Sequence, residues 1–494
     1  MRQAAYLRGR YRAIGSSVGT ILLLASPLVA APLLVLLARP QDAQHAGAFV
    51  APAVALAVLG LALRRAFRGA TGDPLTVPEG GVIVLASWVT VVLASAWPFA
   101  AILDLPYSRA LFESVSGWTT TGLSVVDVTE AGPMLLLWRS LTQFAGGAGW
   151  AVLMMSAIAG PTGIGVASAE GRSDQLVPQV RRSARLVLVL YTGYAAAGVV
   201  AYRVAGMPAF DALAHALAAV STGGFSTRAG SIGAFDSLAI EAVTVGLMLL
   251  GSLSFLTAWA LLRGNAGAAT RSSEVRLVAV LAPIAIAALL LGTTRAVYAQ
   301  LGEAVRVAAF ETISAFTTTG FTIADYAPWN GFGLALLVLL MTIGGGHAST
   351  AGGVKQFRVV LLARMIGWEL RRSRLPRGAV VQNAVWEAGR RVFVDDRQLR
   401  QVASFVVLYL ATFALGVLVL AASGFGLQDA IFEFASGLGT VGLSVGPTRA
   451  DMPDAALAAL MVAMFLGRLE FTVVIVSVLK LAADVRAMAR GDGE

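Results

Sequence analysis

Trp118-Thr-Thr-Thr-Gly122-Leu123, Val220-Ser-Thr-Gly-Gly224-Phe225, Phe316-Thr-Thr-Thr-Gly320-Phe321 and Leu438-Gly-Thr-Val-Gly442-Leu443 are four versions of one short segment. Each lies between two long apolar runs. They recur at intervals of roughly a hundred residues, the mark of internal duplication. A Thr/Gly loop repeated between membrane helices is a way to set a ring of backbone carbonyls around a dehydrated cation. Ion permeation is therefore the leading expectation.

The composition agrees. The 494-residue chain is 57% hydrophobic and 13% charged, against about 25% charged in a soluble protein. Several runs exceed the ~20 apolar residues that cross a bilayer. The first, Ser17 to Ala38, follows Arg2, Arg8, Arg10 and Arg12. It is too long for the apolar part of a signal peptide and lacks a small-residue cleavage site, so a retained helix is expected. With no cysteine and three scattered histidines, disulfides, Cys nucleophiles and Cys/His zinc sites are excluded. The net charge of +9 does not point to nucleic acid. The basic residues stand beside alternate membrane ends: Arg64, Arg65 and Arg68; Arg172, Arg181, Arg182 and Arg185; Arg263, Arg271 and Arg276; and a dense group from Lys355 to Arg400. That is the positive-inside bias of a membrane protein.

An all-α polytopic fold follows. Two helices near 17–38 and 48–66 precede four repeats of apolar helix, short amphipathic helix, Thr/Gly loop and second apolar helix. First helices are expected near 81–103, 184–205, 275–298 and 400–423, and second helices near 132–158, 236–262, 332–364 and 453–485. Short helices are expected near 107–119, 209–221, 304–317 and 427–438. The units are 1–70 (the N-terminal helices), 71–172, 173–271, 272–366, a cytoplasmic insert 367–397, and 398–494. Four unlike quarters can then surround one pore. Ten spans put both termini in the cytoplasm, in keeping with the arginines of Met1–Arg12 and Arg486–Arg490. Short helices with irregular backbone survive at membrane depth only when buried in protein or lining a watery path. The C-terminal end of such a helix offers partial negative charge to a cation, and glycine allows backbone conformations closed to other residues.

On these motifs the sequence resembles the Trk/Ktr/HKT superfamily of potassium transporters, closest to the bacterial TrkH type. The likeness covers nearly the whole chain. Ser221-Thr-Gly-Gly-Phe-Ser-Thr227 and Thr317-Thr-Thr-Gly-Phe-Thr322 resemble that family's second and third filters. Gly344-Gly-Gly-His-Ala-Ser-Thr-Ala-Gly-Gly353, followed by Lys355, resembles its intramembrane gating loop. Arg139-Ser-Leu-Thr-Gln143 and Gly467-Arg-Leu-Glu470 resemble its first and fourth second-helix signatures. The resemblance implies a potassium filter made by Thr120, Thr121, Gly122, Thr222, Gly223, Gly224, Thr318, Thr319, Gly320, Thr440, Val441 and Gly442. A glycine in every filter goes with potassium preference in that family. It further implies a gate made by Gly344, Gly345, Gly346, His347, Ser349, Thr350, Gly352, Gly353 and Arg468. His347 stands where the family usually carries a small residue. K+ is then the transported ion, with no organic cofactor. The implied partners are a second copy in a homodimer, a cytosolic nucleotide-binding ring of the TrkA type, and membrane lipid, all at the bacterial inner membrane.

The residues support parts of this independently. So many glycines at Gly344–Gly353 cannot hold a helix, at about 1 kcal/mol each, and a loop at that depth must face protein or water. Its glycines and lysine lack the phosphate-loop spacing and the preceding strand. Arg468, in an apolar helix, is expected to face a cavity, since a central arginine costs about 2.5–3.5 kcal/mol on insertion scales. A pair with Glu470 is disfavoured, because residues two apart do not share a helix face. Glu113 with Arg139, and His215 with Glu241, hold equivalent places in two repeats and are expected to brace each short helix to the following one. Glu311 and Glu433 lack that partner. The basic insert around Arg371, Arg372, Arg374, Arg377, Arg390 and Arg391 is a candidate docking surface, or simply positive-inside topology. Membrane potential alone, at about 2.3 kcal/mol per charge per 100 mV, can drive inward cation flow, and no nucleotide motif suggests otherwise. The competing readings are a sodium-permeable or sodium-coupled transporter and a non-conducting membrane sensor or scaffold.

Overall fold

The computed structural model describes residues 2–68, 75–149, 180–376, 382–387 and 390–491. An N-terminal hairpin comes first. Helix α1 (Arg2–Ala30) runs on through a 3-10 stretch (Ala31–Leu37), and the chain returns as α2 (Ala46–Ala66). The two helices touch at Gly19 and Gly60, where a Cβ on either would stand 2.7 Å from the other's carbonyl oxygen. Small residues permit this close approach, which drives helix association where lipid removes the hydrophobic effect. The hairpin is tied to the rest by Arg10, whose Nε and Nη2 donate to the Glu79 carboxylate at 2.9 and 2.6 Å. Tyr11 donates to Asp484 at 3.0 Å, so the N-terminal helix packs against the C-terminal one.

The unit of long helix, short helix, loop and second helix then occurs four times. The first is α3 (Val77–Leu103), α4 (Tyr107–Trp118) and α5 (Pro133–Phe144), the last extended by a π turn to Gly149. The second is α6 (Val180–Val204), α7 (Ala209–Val220), and the pair α8 (Leu238–Ser252) and α9 (Phe255–Leu262). A short α10 (Ala266–Arg271) leads to α11 (Ser273–Leu289), α12 (Leu301–Phe316), α13 (Gly331–Ile343) and α14 (Gln356–Arg372). The fourth is α15 (Asp396–Ala422), α16 (Leu427–Leu438), α17 (Asp454–Leu469) and α18 (Phe471–Gly491).

Among the described residues six helices are long and apolar enough to cross a membrane, and two bent pairs bring the number to eight. The remaining two of the ten expected spans are second helices. That of repeat one is described only to Gly149, so the rest of the expected 132–158 span lies outside the described residues. That of repeat three is split by the Gly-rich loop. Two further expectations of continuous helices need correction. The second helix of repeat two bends by 111° between α8 and α9, and that of repeat four by 103° between α17 and α18. The physical cause at the first break is Ser254, whose hydroxyl caps a new helix start. At the second it is Glu470, at φ 64°, held out of the helical path by cationic partners described below.

The short helices sit at the centre. Their last seven residues, 112–118, 214–220, 310–316 and 432–438, are buried without exception. A helix buried all round belongs to the core of its protein. The all-helical expectation also needs a small correction within the insert. There β1 (Ala384–Glu387) and β2 (Arg390–Phe393) pair antiparallel, with Val385 opposite Val392. Val385 is fully buried in a cluster with Leu361 of α14 and Val402 of α15.

Candidate functional site

After each short helix the backbone follows the same path. Thr120, Thr222, Thr318 and Thr440 have φ of 55°, 51°, 54° and 50°, and the glycines two residues on have φ of 95°, 75°, 82° and 96°. Left-handed conformations are uncommon for a residue with a Cβ and costly for a β-branched one. Four threonines adopting one at equivalent positions are therefore a built feature. Alternating left-handed and ordinary backbone lines successive peptide groups up on one side, instead of alternating them as a strand does.

The four loops also interlock. A Cβ on Gly122 would strike the carbonyl oxygen of Gly223, one on Gly224 that of Thr319, one on Gly320 that of Val441, and one on Gly442 that of Thr121. Each glycine thus abuts the residue just before the glycine of the next repeat, and the sequence of contacts closes on itself. All four glycines line one cavity of about 390 Å³. Gln143 adds a cross-brace, donating to Gly223 O at 2.5 Å and accepting from Phe225 N at 3.1 Å.

Behind each loop one side chain of the short helix holds the returning strand. Glu113, Glu311 and Glu433 accept from the hydroxyls of Ser124, Thr322 and Ser444 at 3.0, 2.9 and 2.5 Å. They also accept from the amides of Val125, Ile323 and Val445 at 3.1, 2.8 and 2.9 Å. In repeat two His215 Nε2 meets the hydroxyl of Ser226 at 2.9 Å. The arrangement is a buckle, tying the residue nine before each glycine to the hydroxyl two after it.

Of the two expected charge braces, one forms. Arg139 Nε donates to Glu113 Oε1 at 2.8 Å, with both side chains buried. The second does not: His215 Nδ1 lies 2.7 Å from Asp211 O, and Glu241 pairs with Arg306 at 3.1 Å. The imidazole's two nitrogens are used up on its own helix and its own loop. Glu311 and Glu433 need no cation, because their loops supply donors, including Tyr326 for Glu311 and Thr448 at 2.6 Å for Glu433.

On the other side of the threonines lies the loop Gly344–Gly353. It closes on itself through Gly345 N to Gly352 O at 3.3 Å and Gln356 N to Gly345 O at 2.9 Å. Gly352 N donates to Thr318 Oγ1 at 2.8 Å, and Thr222 Oγ1 donates to Thr350 Oγ1 at 3.2 Å. A Cβ on Gly352 would strike the hydroxyl of Thr440. The loop therefore packs beneath three of the four repeats. The hydroxyls of Thr120 and Thr440 are buried with no hydrogen-bond partner among the described residues. Arg468 reaches across from repeat four. Its Nη1 donates to Thr350 O at 2.5 Å, and its Nη2 to Gly146 O at 2.7 Å and to Gly147 O. It makes no pair with Glu470, which instead binds Arg358 at 2.9 Å and Lys355 at 3.5 Å.

A family model described as a cation transport protein, TrkH, matches residues 48–485. The chain belongs to the TrkH family. It is 32% identical over 425 residues to the Trk system potassium uptake protein TrkG of Escherichia coli strain K12, covering 82% of this chain and 85% of that one. It is 30% identical over 482 residues to the TrkH protein of Salmonella typhimurium strain LT2, covering 94% and 98%. The crystal structure of the potassium transporter TrkH from Vibrio parahaemolyticus superposes with a TM-score of 0.82 at 30% identity, over 94% of this chain and 98% of that one.

For this TrkH-family chain the structure closes eight of the twelve Thr/Gly-loop residues into one cycle of contacts, with Thr120, Thr222, Thr318 and Thr440 next to them in the chain. It sets the Gly-rich loop against Thr222 and Thr318, and Arg468 against the Gly-rich loop. Sequence reading quoted Ser226, Thr322 and Gln143 within motifs but missed their bracing roles, and it missed Ser124, Ser444 and Glu274, whose carboxylate accepts the His347 amide at 2.6 Å. The hydroxyls carried a signal, since Ser or Thr stands two after all four glycines.

Proposed function

We propose that this chain takes up potassium across the bacterial inner membrane through a ring formed by its four Thr/Gly loops. The single observation that carries this reading is the closed cycle of glycine-to-carbonyl contacts running from Gly122 through Gly224, Gly320 and Gly442 back to repeat one. Carbonyls of Thr121, Gly223, Thr319 and Val441 each stand against a glycine of the neighbouring loop, and a ring of carbonyls can replace the hydration shell of a cation. The orphan hydroxyls of Thr120 and Thr440 add oxygen ligands at the inner mouth. The relatives' names, as potassium uptake proteins of a Trk system, supply the ion.

The Gly-rich loop is the gate. It fills the space under Thr222, Thr318 and Thr440, and Arg468 places a positive charge beside it. Opening requires the loop to leave those hydroxyls. Both termini lie in the cytosol, on the side of the basic insert, in keeping with the positive-inside rule. The insert docks a TrkA-type nucleotide-binding ring, and the chain works as a homodimer in lipid.

Growth of a potassium-uptake-deficient bacterium at low potassium tests the reading. The wild-type chain should rescue growth, and Gly→Ser changes at 122, 224, 320 and 442 should each weaken rescue or admit sodium. Failure of a membrane-expressed wild type to rescue would sink it.

A further inference from the structure

Glu274 is the second residue of α11 and is 7% exposed. Its carboxylate accepts the amide of His347, in the outer turn of the Gly-rich loop, at 2.6 Å. A carboxylate on a backbone N–H is about twice as strong as a neutral hydrogen bond. The same turn is held by Gly346 N to Ser252 O at 2.9 Å and Phe255 N to Ala348 O at 3.3 Å. The residue before Glu274 faces a different element. Ser273 Oγ accepts the amide of Trp386, on β1 of the insert, at 3.3 Å. That hairpin is also fixed to α14, the helix that leaves the loop, through buried Val385 and through Arg364 donating to Ala384 O at 3.3 Å. Adjacent Cα atoms are a fixed ~3.8 Å apart, so the start of α11 cannot follow the hairpin without moving the carboxylate that holds the loop.

We infer that the β-hairpin, Ser273 and Glu274 form a mechanical link from the insert to the loop, with Glu274 as a positioning residue for the loop beneath the Thr/Gly ring. This rests on the reading of the loop as the gate. Displacement of the hairpin loosens the His347 amide and frees the loop.

The test uses the full chain in proteoliposomes, with rubidium flux as one readout. The other is the labelling rate of a single cysteine placed by Ala348→Cys, which the cysteine-free sequence makes possible. Glu274→Ala should raise both by roughly tenfold, and Glu274→Gln, which keeps an acceptor, should restore them to near wild type. Val385→Asp, which strips the hairpin from α14, should raise flux alone but add nothing in the Glu274→Ala background. Ser273→Ala, which leaves hairpin packing intact, should act in the same direction if Val385→Asp does not yield a monodisperse protein. Deletion of 345–351 is the control. If deletion raises flux and Glu274→Ala does not, or if the Glu274 and hairpin variants add independently, the link is overturned alone. If deletion leaves flux unchanged, the gate falls and the link with it.

Discussion

The Thr/Gly loops and the Gly-rich loop beneath them are both non-helical backbone at the centre of a membrane protein, yet they are held differently. Each Thr/Gly loop is buckled by its own short helix, through Glu113, His215, Glu311 or Glu433 and a hydroxyl eleven residues further on. The Gly-rich loop closes its two ends on itself. Further bonds lie within it, such as Ser349 Oγ to Gly346 O at 2.6 Å, but others reach several elements: Gly251 and Ser252 of α8, Thr222 of repeat two, Glu274 of α11, Thr318 of repeat three and Arg468 of α17. A self-braced loop keeps its shape when neighbouring helices shift. A loop whose anchors lie on several elements moves whenever one of them does. The breaks in the second helices contribute directly, because a broken helix leaves carbonyls that need donors. Gly251 O and Ser252 O receive theirs from Thr350 and Gly346.

This contrast can be broken from either side. The largest effect should come from Gly320→Ala. At φ 82° with Val441 O in the way, the added methyl forces a strained backbone and a displaced neighbour, each costing on the order of 1–3 kcal/mol. Rubidium flux should fall about a hundredfold, and near-normal flux would show that the ring is not tight. Arg139→Met leaves Glu113 as a buried charge without its cation. Removing one partner of such a pair costs about 3–5 kcal/mol, so thermal unfolding in detergent should drop by many degrees, and an unchanged midpoint would remove Arg139 from the frame. Arg468→Ala tests the lower loop. Flux should rise roughly threefold to tenfold, the equivalent of about 0.7–1.4 kcal/mol of barrier, with little change in melting. A fall in flux would reassign it to bracing. Smallest should be Ser226→Ala, which frees one nitrogen of His215. About 1 kcal/mol of stability is at stake, and a loss of ion selectivity there would mean that the buckles set chemistry as well as shape.

Much of this was readable in the sequence because its causes are local. The glycines at 122, 224, 320 and 442 mark backbone that a side chain cannot occupy, and long apolar runs declare their own length. Gly344–Gly353 announced a loop through helix propensity alone. The misses have long-range causes. The expected pairing of His215 with Glu241 followed from equivalence with Glu113 and Arg139. Spacing cannot reveal that Arg306, on another short helix, takes Glu241, or that Asp211 and Ser226 take the imidazole. The bends at 252–255 and at Glu470 were hard to see because long apolar runs flank them; only a capping serine at the first and the short Gly467-Arg-Leu-Glu470 segment at the second mark the places. The hairpin at 384–393 was hidden inside a run read as basic and polar, although Val385 and Val392 are the residues that pair at its centre.

One chain supplies all four sides of the ring, and this has a genetic consequence. In a ring of four identical subunits every substitution enters four times at once. Here a single codon changes one quadrant and leaves three untouched, as the double glycine of repeat two and the valine of repeat four already illustrate. Mutation can therefore explore lopsided rings in small steps, a set of variants closed to any ring made of copies.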